Sequence, residues 1–420
     1  MSKDHKILPK LRFPEFESDG EFREKSLGYF CDYWNGSGNE SGVTEDGQYL
    51  LISLNSIDIE GNLKSDMKRV PSTDNSLKKD DLVMVLSDVA HGNFLGLSAI
   101  IPDDNYVLNQ RMAGLGIKDF SEIDPKYLRL FINGNQKYFK RQGQGSSQQN
   151  LSKGSVIDFP VLVPTRLIEQ QKIASCLSSL DELIAAHNDK LAALKDHKKG
   201  LLQNLFPQEG ETVPKVRFPE FEGDGEWELK PFSKFIKLYR GSSPRPIREF
   251  LTEDETGVNW IKIGDTSSIT DFVIRSVSEK ITLKGAEKSR RVKKGELILA
   301  NSMSYGSTYL LEVEGCIYDG WFVLREYEQY FDKEFLLQLL NSEYTQGQYK
   351  KYAAGGIVQN ISSEIVYSIT LPKTSKEEQQ KIASCLSAVD ELITAQREKI
   401  EQLQQHKKGL MQGLFPKIES

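Results

Sequence analysis

The chain has 420 residues, of which 38% are hydrophobic and 27% are charged, and its formal net charge is −6 at pH 7. This length gives room for two or three domains, each with its own core. No stretch approaches the roughly 18 consecutive apolar residues of a membrane span, and the N-terminus lacks an apolar signal region, so we expect a cytoplasmic protein. The four cysteines show no CxxC spacing, which argues against a zinc site or a disulfide framework.

Two segments of the sequence occur twice. Residues 9–20 return at 214–225 with nearly the same letters, and residues 169–178 return at 378–387 without a change. The second match continues more loosely to a Leu-Phe-Pro that closes both copies. Repeated segments at similar offsets indicate two equivalent halves. Because the residues between the copied segments are largely different, we expect one framework that carries two different inserts and reads two different targets at a fixed separation.

Although the net charge is negative, the basic residues are clustered. A run of charge is often no more than a solvated surface, but its recurrence in both inserts favours contact with nucleic acid. The clusters are Lys126, Arg129, Lys137, Lys140, Arg141 and Lys153; Lys234, Lys237, Arg240, Arg245 and Arg248; and Lys284, Lys288, Arg290, Arg291, Lys293 and Lys294.

The second copied segment of each half opens a long helix with an apolar seam. Apolar residues recur at steps of three and four without an internal proline, which is the period of supercoiled helices. Neither stripe can be covered within a small domain, so the two helices are predicted to pair. Two equivalent halves related by a pseudo-twofold axis make that pair antiparallel. The predicted seam is Ile173, Leu177, Leu180, Ile184, His187, Leu191, Leu194, Ile382, Leu386, Val389, Ile393, Gln396, Ile400 and Leu403.

The seam is interrupted at matching positions in the two copies. His187 and Gln396 lie at the midpoints of their seams, and Lys198 and Lys407 follow further along. In a centred antiparallel pair His187 would meet Gln396, and we predict that their contact helps to fix the register. The alternative is that both side chains point to solvent at a loosened turn.

Each insert has the pattern of a mixed domain, with short β runs followed by a helical stretch. The β runs are 49–54, 82–86 and 97–101 in the first insert and 258–263 and 297–300 in the second, and the helical stretches are 125–138 and 333–349. The predicted fold class is therefore α+β, with two mixed α/β domains related by a pseudo-twofold and joined by two long helices that form an antiparallel coiled coil. The predicted segments are 1–165 (first domain), 166–206 (first helix), 207–373 (linker and second domain) and 374–420 (second helix and tail).

Polar loops follow the same β runs in both inserts. Residues 78–87 align with 293–302, and residues 140–152 align with 350–362. Asn, Gln, Ser and Arg side chains can pair with base edges, while nearby Lys and Arg suit phosphates. For any single residue the alternative stays open that Gly, Ser and Asn are there because turns need them. The candidate DNA-binding residues are Asn35, Ser87, Asp88, His91, Asn93, Gln110, Arg111, Lys140, Arg141, Gln144, Gln148, Ser243, Arg245, Arg248, Lys262, Asp265, Arg290, Arg291, Asn301, Ser302, Tyr305, Lys350, Lys351 and Gln359.

In the order of these motifs the whole chain resembles the specificity (S) subunit of a type I restriction-modification system. The motifs are the Glu-Gln-Gln-Lys-Ile-Ala helix starts at 169–174 and 378–383, the Gly-rich loops that end at 149–152 and 359–362, the Gly-Ser-Ser-Pro turn at 241–244, and the segment 260–265. No counterpart of the 241–244 turn is recognisable at 33–38, and the glycines at 36–38 and 143–145 are interpreted as flexible loop tips.

The resemblance implies two target-recognition domains, each binding one half of an asymmetric, split DNA sequence, with the helix pair setting the gap. It also implies a complex with two methyltransferase (M) subunits and with restriction/translocase (R) subunits where DNA is cut. N6-adenine methylation would be carried out by the partners, and S-adenosylmethionine, ATP and Mg are expected on those partner subunits and not on this chain.

The sequence lacks the motifs of a catalytic subunit. We find no Asn-Pro-Pro-Tyr or Asp-Pro-Pro-Tyr tetrad to hold a flipped adenine and no Walker phosphate loop. We therefore expect no enzyme, no catalytic residues and no metal. Two rival hypotheses are a coiled-coil scaffold whose paired domains bind proteins, and a self-contained nuclease or methyltransferase.

Overall fold

The computed structural model describes residues 6–72, 77–89, 93–145, 148–302, 306–353 and 360–418. The chain folds into two compact units. Unit 1 combines Met1–His187 with Ile400–Ser420, and unit 2 is Asn188–Lys399. Among the described residues no helix is both long enough and apolar enough to cross a bilayer.

The helices and strands of the first half are short up to the last one. They are β1 (Arg23–Ser26), α1 (Leu27–Phe30), β2 (Cys31–Asn35), β3 (Tyr49–Ile52), β4 (Arg69–Val70), β5 (Leu82–Val85), β6 (Ser87–Val89), β7 (Ser98–Ile100), β8 (Tyr106–Leu108), β9 (Met112–Ile117), α2 (Pro125–Gly134), α3 (Gln136–Gln142), β10 (Gln148–Asn150), α4 (Lys153–Ile157), β11 (Pro160–Val163) and α5 (Leu167–Leu205).

The second half follows a similar order. Its elements are β12 (Glu228–Pro231), β13 (Lys237–Arg240), β14 (Leu251–Thr252), β15 (Val258–Ile261), β16 (Val273–Ile274), β17 (Glu279–Ile281), α6 (Leu283–Glu287), β18 (Arg290–Val292), β19 (Leu297–Ala300), β20 (Thr308–Leu311), β21 (Gly315–Ile317), β22 (Trp321–Arg325), α7 (Lys333–Asn341), α8 (Glu343–Ala353), α9 (Ser363–Ser368), β23 (Thr370–Lys373) and α10 (Lys376–Leu414).

Each unit is built around a sheet whose central strand is wholly buried. In unit 1 the strand order is β2-β9-β5-β7, and in unit 2 it is β13-β22-β19-β20-β16. All four residues of β5 and all four of β19 are buried, as expected for a strand flanked on both sides. A second sheet lies in each unit, in the order β4-β3-β8 or β14-β17-β15-β21-β18, so the predicted α+β class is confirmed.

The helical stretch of each insert is two helices and not the single one predicted. In the first insert α2 ends at Asn135, whose backbone leaves the helical region and whose side chain donates to the carbonyl of Phe131 at 2.8 Å. In the second insert α7 ends at Ser342, which is extended and caps the next turn. Polar residues that bond to nearby backbone compete with the helical ladder, which explains both breaks.

The two copied segments of each half bind one another. In unit 1 the Arg12 guanidinium forms a bidentate pair with Glu169, with Nε–Oε1 and Nη2–Oε2 distances of 2.8 Å. Its remaining nitrogen donates to the carbonyls of Asp19 and Gly20. The side chains of Arg12 and Glu169 are 9% and 1% exposed, so the pair is withdrawn from water.

Unit 2 repeats this joint atom for atom. Arg217 pairs with Glu378 at 2.7 and 2.8 Å and donates to the carbonyls of Asp224 and Gly225. Bidentate guanidinium–carboxylate pairs impose geometry as well as attraction. The hydrogen bonds to the Glu378 carboxylate raise the pKa of Arg217, so the guanidinium stays charged at any physiological pH. The copied letters therefore encode a joint between the start of each half and its long helix.

The glutamine after each of these glutamates fixes the helix start to the insert. The Gln170 side chain accepts from the backbone N–H of Asp124 at 2.9 Å, and Gln379 accepts from that of Asp332 at 2.7 Å. Asp124 in turn caps α2, and Asp332 caps α7. Both glutamines are buried, and each also donates to nearby carbonyls. The insert helix and the long helix are thus aligned through one amide side chain in each unit.

The core of each unit includes the C-terminal end of a long helix: that of α10 in unit 1 and that of α5 in unit 2. In unit 1 the Phe415 ring lies 5.2 Å from that of Tyr127 and 5.6 Å from that of Phe131. In unit 2 the Phe206 ring lies 5.4 Å from that of Phe335. These phenylalanines belong to the copied Leu-Phe-Pro, whose proline prevents further helix. The apolar end that closes each helix therefore packs in the core of the unit that the other helix begins.

Within each unit the two long helices run antiparallel. In unit 1 Lys407, late in α10, forms an ion pair with Asp181, early in α5. In unit 2 Lys198, late in α5, contacts both carboxylate oxygens of Asp390, early in α10, at 2.7 and 2.8 Å. The two lysines that interrupt the apolar seam in the sequence are therefore interhelical cross-links.

Burial along the predicted seam follows the heptad period. The predicted contact between His187 and Gln396 stays a prediction. Buried seam residues are Ile173, Leu177, Ile382, Leu386, Val389, Ile393, Gln396, Ile400 and Leu403, and half-buried ones are Leu180, Ile184, His187, Leu191 and Leu194.

Replacing Arg12 with methionine should destabilise the protein by about 3–5 kcal/mol, because Glu169 would remain as an uncompensated buried carboxylate. The measurement is urea denaturation followed by tryptophan fluorescence and circular dichroism. Arg12→Met with Glu169→Leu should recover most of the loss, since no charge is then left unpaired. A single variant within 1 kcal/mol of the parent would show that the joint is not a constraint. The matched Arg217→Met variant tests the same joint in unit 2.

Candidate nucleic-acid interface

The glycine turn that the sequence shows only in the second insert is present in both. After β2, the backbone N–H of Gly36 bonds to the carbonyl of Met112 at 3.0 Å. After β13, that of Gly241 bonds to the carbonyl of Trp321 at 2.8 Å. A Cβ on Gly36 would collide with the carbonyl oxygen of Asn109. In the same way, a Cβ on Gly241 would collide with the carbonyl oxygen of Tyr318. The interpretation of Gly36 as a flexible loop tip is therefore wrong, and residues 33–38 do have a counterpart.

This correspondence pairs the candidate positions of the two units. Asn35 is equivalent to Arg240, each being the last residue of its strand before the glycine. Gln110 is equivalent to Asp319, because both lie two residues before the carbonyl that receives the glycine N–H. The same backbone thus presents an amide pair in unit 1 and a cation with a carboxylate in unit 2.

In unit 1 the structure brings Ser87, Asp88 and Gln148 together. Strands β6 and β10 pair antiparallel, with Ser87 opposite Asn150 and Asp88 opposite Gln149. The side-chain amide of Gln148 donates to the Ser87 hydroxyl. Asp88 is 5% exposed and accepts from the backbone N–H of Phe94 at 2.8 Å. Asp88 therefore ties β6 to the backbone of Phe94.

Other unit 1 candidates lie on the neighbouring strand ends. Asn35 is exposed and accepts from the Tyr33 hydroxyl at 2.5 Å. Gln110 and Arg111 are both exposed in the tight turn between β8 and β9, and Arg111 has a φ of 68°. Exposed amides and a guanidinium at a strand end are free to turn towards a ligand.

The remaining unit 1 candidates lie in the segment between β6 and β7 and on or just after α3. Their side chains are exposed except for that of Lys140, which is half-buried, and His91 lies outside the described residues. The described members of this set are Asn93, Lys140, Arg141 and Gln144.

In unit 2 a hydrogen-bonded cluster forms around Asp319. The Ser243 hydroxyl donates to Asp319 Oδ1 at 2.7 Å, and Arg245 Nη2 lies 3.7 Å from Oδ2. The backbone carbonyl of Asp319 accepts from Asn301 at 3.0 Å and from Arg240 Nε at 3.2 Å. The hydrogen bond from Ser243 lowers the pKa of Asp319, so this carboxylate is ionised at neutral pH.

Sequence reasoning missed Asp319 as a site residue and placed Arg240 only in a basic cluster. Asp319-Gly320 reads as an ordinary turn, and only its equivalence to Gln110 marks it as a loop-tip position. Arg240 is anchored from a second side as well, because Arg290 Nε donates to its carbonyl at 3.2 Å. The Arg290 guanidinium also lies 5.7 Å from the centre of the Tyr239 ring.

Some predicted unit 2 contacts serve the fold. Asp265 accepts from the backbone N–H of Lys262 at 2.8 Å and from the Ser278 hydroxyl at 2.7 Å, which closes a capped turn. Lys262 pairs with Glu279 at 2.5 Å. On α8, Lys351 pairs with a glutamate at 2.6 Å. These ion pairs compete with any contact to phosphate.

The other unit 2 candidates lie at the edges of this surface. Ser302 is half-buried and forms an isolated bridge with Asn360, the counterpart of the β6–β10 pairing. Tyr305 and Gln359 lie outside the described residues. The exposed basic candidates are Arg248, Arg291 and Lys350.

The arrangement offers hydrogen-bonding groups on matched loops. Within the described ranges no group of three or more His, Cys, Asp or Glu residues could hold a metal ion. Burial raises the pKa of the Cys31 thiol to about 12 and also raises that of Cys316, so neither is a nucleophile at neutral pH. Amides, hydroxyls and guanidiniums on paired loop tips are groups suited to reading base edges.

Comparison with known proteins agrees with this arrangement. The family model described as "Type I restriction modification DNA specificity domain" matches residues 74–196 and again 225–405. The chain belongs to this family. It is therefore a type I restriction-modification specificity subunit, a non-catalytic subunit whose role is recognition of a DNA target.

Individual relatives extend over the whole chain. The type I restriction enzyme MjaVIII specificity subunit of Methanocaldococcus jannaschii is 23% identical over 428 residues, covering 98% of this chain and 95% of that protein. A crystal structure of the type I S subunit from M. genitalium shares the fold, with a TM-score of 0.61 at 14% identity over 98% of this chain and 100% of that one. A chain from a study of type I complex assembly and conformational transition also has a TM-score of 0.61, at 15% identity over 94% and 97%.

Gly36→Ala should destabilise unit 1 by about 1–3 kcal/mol, because the added methyl meets the backbone carbonyl of Asn109, which cannot move without disturbing the bridge between Asn109 and Ser37. Gly38→Ala is the matched control, since its Cβ would lie 3.6 Å from the nearest side-chain atom of Gln110. Thermal unfolding of both variants checks this. Equal melting temperatures would contradict the tight turn.

Proposed function

We propose that this specificity subunit recognises a bipartite, asymmetric DNA sequence and directs methyltransferase and restriction subunits to it. The observation that carries the proposal is that two units repeat one backbone framework but present different side chains at equivalent loop positions. Identical readers would recognise a symmetric site. Here Gln110 stands where the other unit has Asp319, and Asn35 where it has Arg240, so the two half-sites differ.

Asp319 is the proposed base-reading group of unit 2. A carboxylate near phosphates repels them, whereas it accepts well from the amino group of cytosine in the major groove. Ser243 and Arg245 hold its two oxygens, which reduces the freedom lost on binding. The exposed guanidiniums of Arg245 and Arg290 are suited to contact the phosphates of the DNA backbone beside that base.

The paired helices are the proposed spacer between the half-sites. Each has 39 residues and is therefore about 58 Å long at 1.5 Å per residue. The ion pairs of Lys198 with Asp390 and of Lys407 with Asp181 tie the helices at two points and resist sliding. A helix pair with fixed register can hold a fixed number of unread base pairs.

The proposed partners are double-stranded DNA, two M subunits and, where DNA is cut, R subunits. The chemistry of S-adenosylmethionine, ATP and Mg belongs to those subunits in this proposal. A gel shift with the M subunit at two salt concentrations tests it, because phosphate contacts release counterions and binding should weaken steeply as salt rises. No DNA affinity at either salt would leave the rival hypothesis of a protein-binding scaffold.

Asp319→Asn should relax the second half-site at one base pair, with a loss of discrimination of about 1–3 kcal/mol, while the first half-site stays unchanged. The measurement is the set of methylated sequences in the genome of a host that carries the complete complex. Gln110→Ala is the matched control and should relax only the first half-site. An unchanged second half-site would overturn the role of Asp319 without affecting the proposed function.

Removing residues 184–190 and 393–399 together should shorten the gap by about three base pairs, since one heptad of helix is roughly 10 Å and duplex DNA rises 3.4 Å per pair. Both half-site sequences should be retained, because one full heptad is lost from each helix and the seam register is kept. Sequencing of the methylated sites in the genome gives both the length of the gap and the base sequences of the half-sites. Changed half-site sequences with an unchanged gap would refute the proposal that the helices are the spacer.

A further inference from the structure

A deep groove of about 1220 Å³ lies in unit 1 between α2, α3 and the last turns of α10. Small-molecule sites usually occupy roughly 300–1,000 Å³, so this groove is large enough for a length of polypeptide. Its wall includes Lys137 and Arg141, which belong to the first basic cluster of the sequence. Part of that cluster therefore lies in the groove and not on the loop tips.

The groove is strongly positive in a chain whose net charge is negative. Among the residues that the structure describes, seven Lys and Arg residues line the groove, and Glu60 is the one carboxylate in its lining. Lys407 is paired with Asp181, and Arg129 donates to the carbonyl of Gly61 at 3.1 Å. The other five form no ion pair within the part of the chain that the structure describes. They are Lys10, Lys137, Arg141, Lys408 and Lys417.

Apolar side chains line the groove as well. Leu97 and Leu130 are 3% and 4% exposed, and Tyr138, Met411 and Ile418 are half-buried. A nucleic-acid backbone would satisfy the cations but offers little to an apolar floor. A ligand that carries both carboxylates and apolar side chains satisfies both parts of the groove.

Unit 2 shows what the equivalent wall does when acids are present. Lys199, the repeat counterpart of Lys408, lies 3.5 Å from Glu343, and Gln203 donates to the same carboxylate at 2.8 Å. Lys351 pairs with Glu209 at 2.6 Å. Unit 2 therefore supplies its own glutamates to this wall. Asn133 bonds to the Ser98 backbone as Asn341 bonds to that of Thr308, so two residues further on Asn135 stands where unit 2 has Glu343. Unit 1 therefore has no carboxylate at this position.

We propose that the groove of unit 1 binds an acidic, amphipathic segment of a partner protein. Its carboxylates would contact the cations on both walls, and its apolar side chains would pack on the floor. Because unit 2 fills the equivalent wall with its own acids, the chain would bind one such segment and not two.

The test uses the full-length chain and a fluorescein-labelled 16-residue peptide of repeated Glu-Glu-Leu-Leu, read by fluorescence anisotropy. A Gln-Gln-Leu-Leu peptide of the same length and a 20-base-pair duplex of random sequence are the competitors. Saturable binding of the acidic peptide that the uncharged peptide does not compete for is expected. Absence of binding by the acidic peptide would overturn the proposal.

Charge reversals locate the binding. Lys137→Glu with Arg141→Glu should weaken peptide binding by about tenfold or more, because attraction becomes repulsion at two contacts. Lys408→Glu with Lys417→Glu, on the opposite wall, should do the same. The matched control is Lys126→Glu with Lys153→Glu, from the same basic cluster but outside the groove, and its affinity should stay within about twofold.

The remaining outcomes are also decisive. Equal weakening by all three double variants would show general charge attraction and overturn the groove as the site. Displacement of the peptide by random duplex, with duplex binding lost in the same two variants, would assign the groove to nucleic acid. Melting temperatures of the variants are measured alongside, and a folded variant of either wall is sufficient for the test. Specific target recognition by the loops does not enter any of these outcomes.

Discussion

The buried arginine–glutamate pair is the constraint on which the rest of each unit depends. It joins the N-terminal arm of the half to the first turn of its long helix, and the neighbouring glutamine joins that turn to the insert helix. Two charges and an amide taken out of water must keep all their partners, since losing one leaves the others unsatisfied. The arm, the helix and the insert are thereby held in one geometry, from which the loop tips project.

The buried ion pair and the glutamine beside it explain why some residues are repeated in both halves and others are not. The repeated segments contain Arg12, Glu169 and Gln170 and their counterparts, all of which bond to each other or to backbone. At the Gly36 and Gly241 turns the repeated hydrogen bonds run between backbone groups, so the glycine is required there but the side chains beside it are not. Side chains at the tips can therefore differ between the two units without disturbing the framework.

Local patterns in the sequence predicted the long helices, the main strands and the equivalence of the halves. Those patterns could not predict contacts between residues that lie far apart in the sequence. Lys198 and Lys407 looked like defects in a seam, because their aspartate partners lie 192 and 226 residues away. The glycine turn of the first insert was missed because only the Gly-Ser dipeptide is shared with the second copy, and the residues on either side of it differ.

The same limit applies to the site. Asp319 was missed because an Asp-Gly pair is an ordinary turn signal, and only the backbone bonds of the folded sheet make it equivalent to Gln110. Conversely, Lys262 and Asp265 have the composition of a binding loop, but they close a turn. Residue type indicates what a side chain can do, whereas the fold decides whether it is already engaged.

The closing Leu-Phe of each helix has a consequence for how the protein is made. Phe415 fills the space beside Tyr127 and Phe131, so unit 1 lacks a piece of its interior until synthesis reaches residue 415. Unit 2 carries all of its own residues by Lys399. A chain that stopped just after Lys399 would consequently lose core residues of unit 1, such as Phe415, and keep every residue of unit 2.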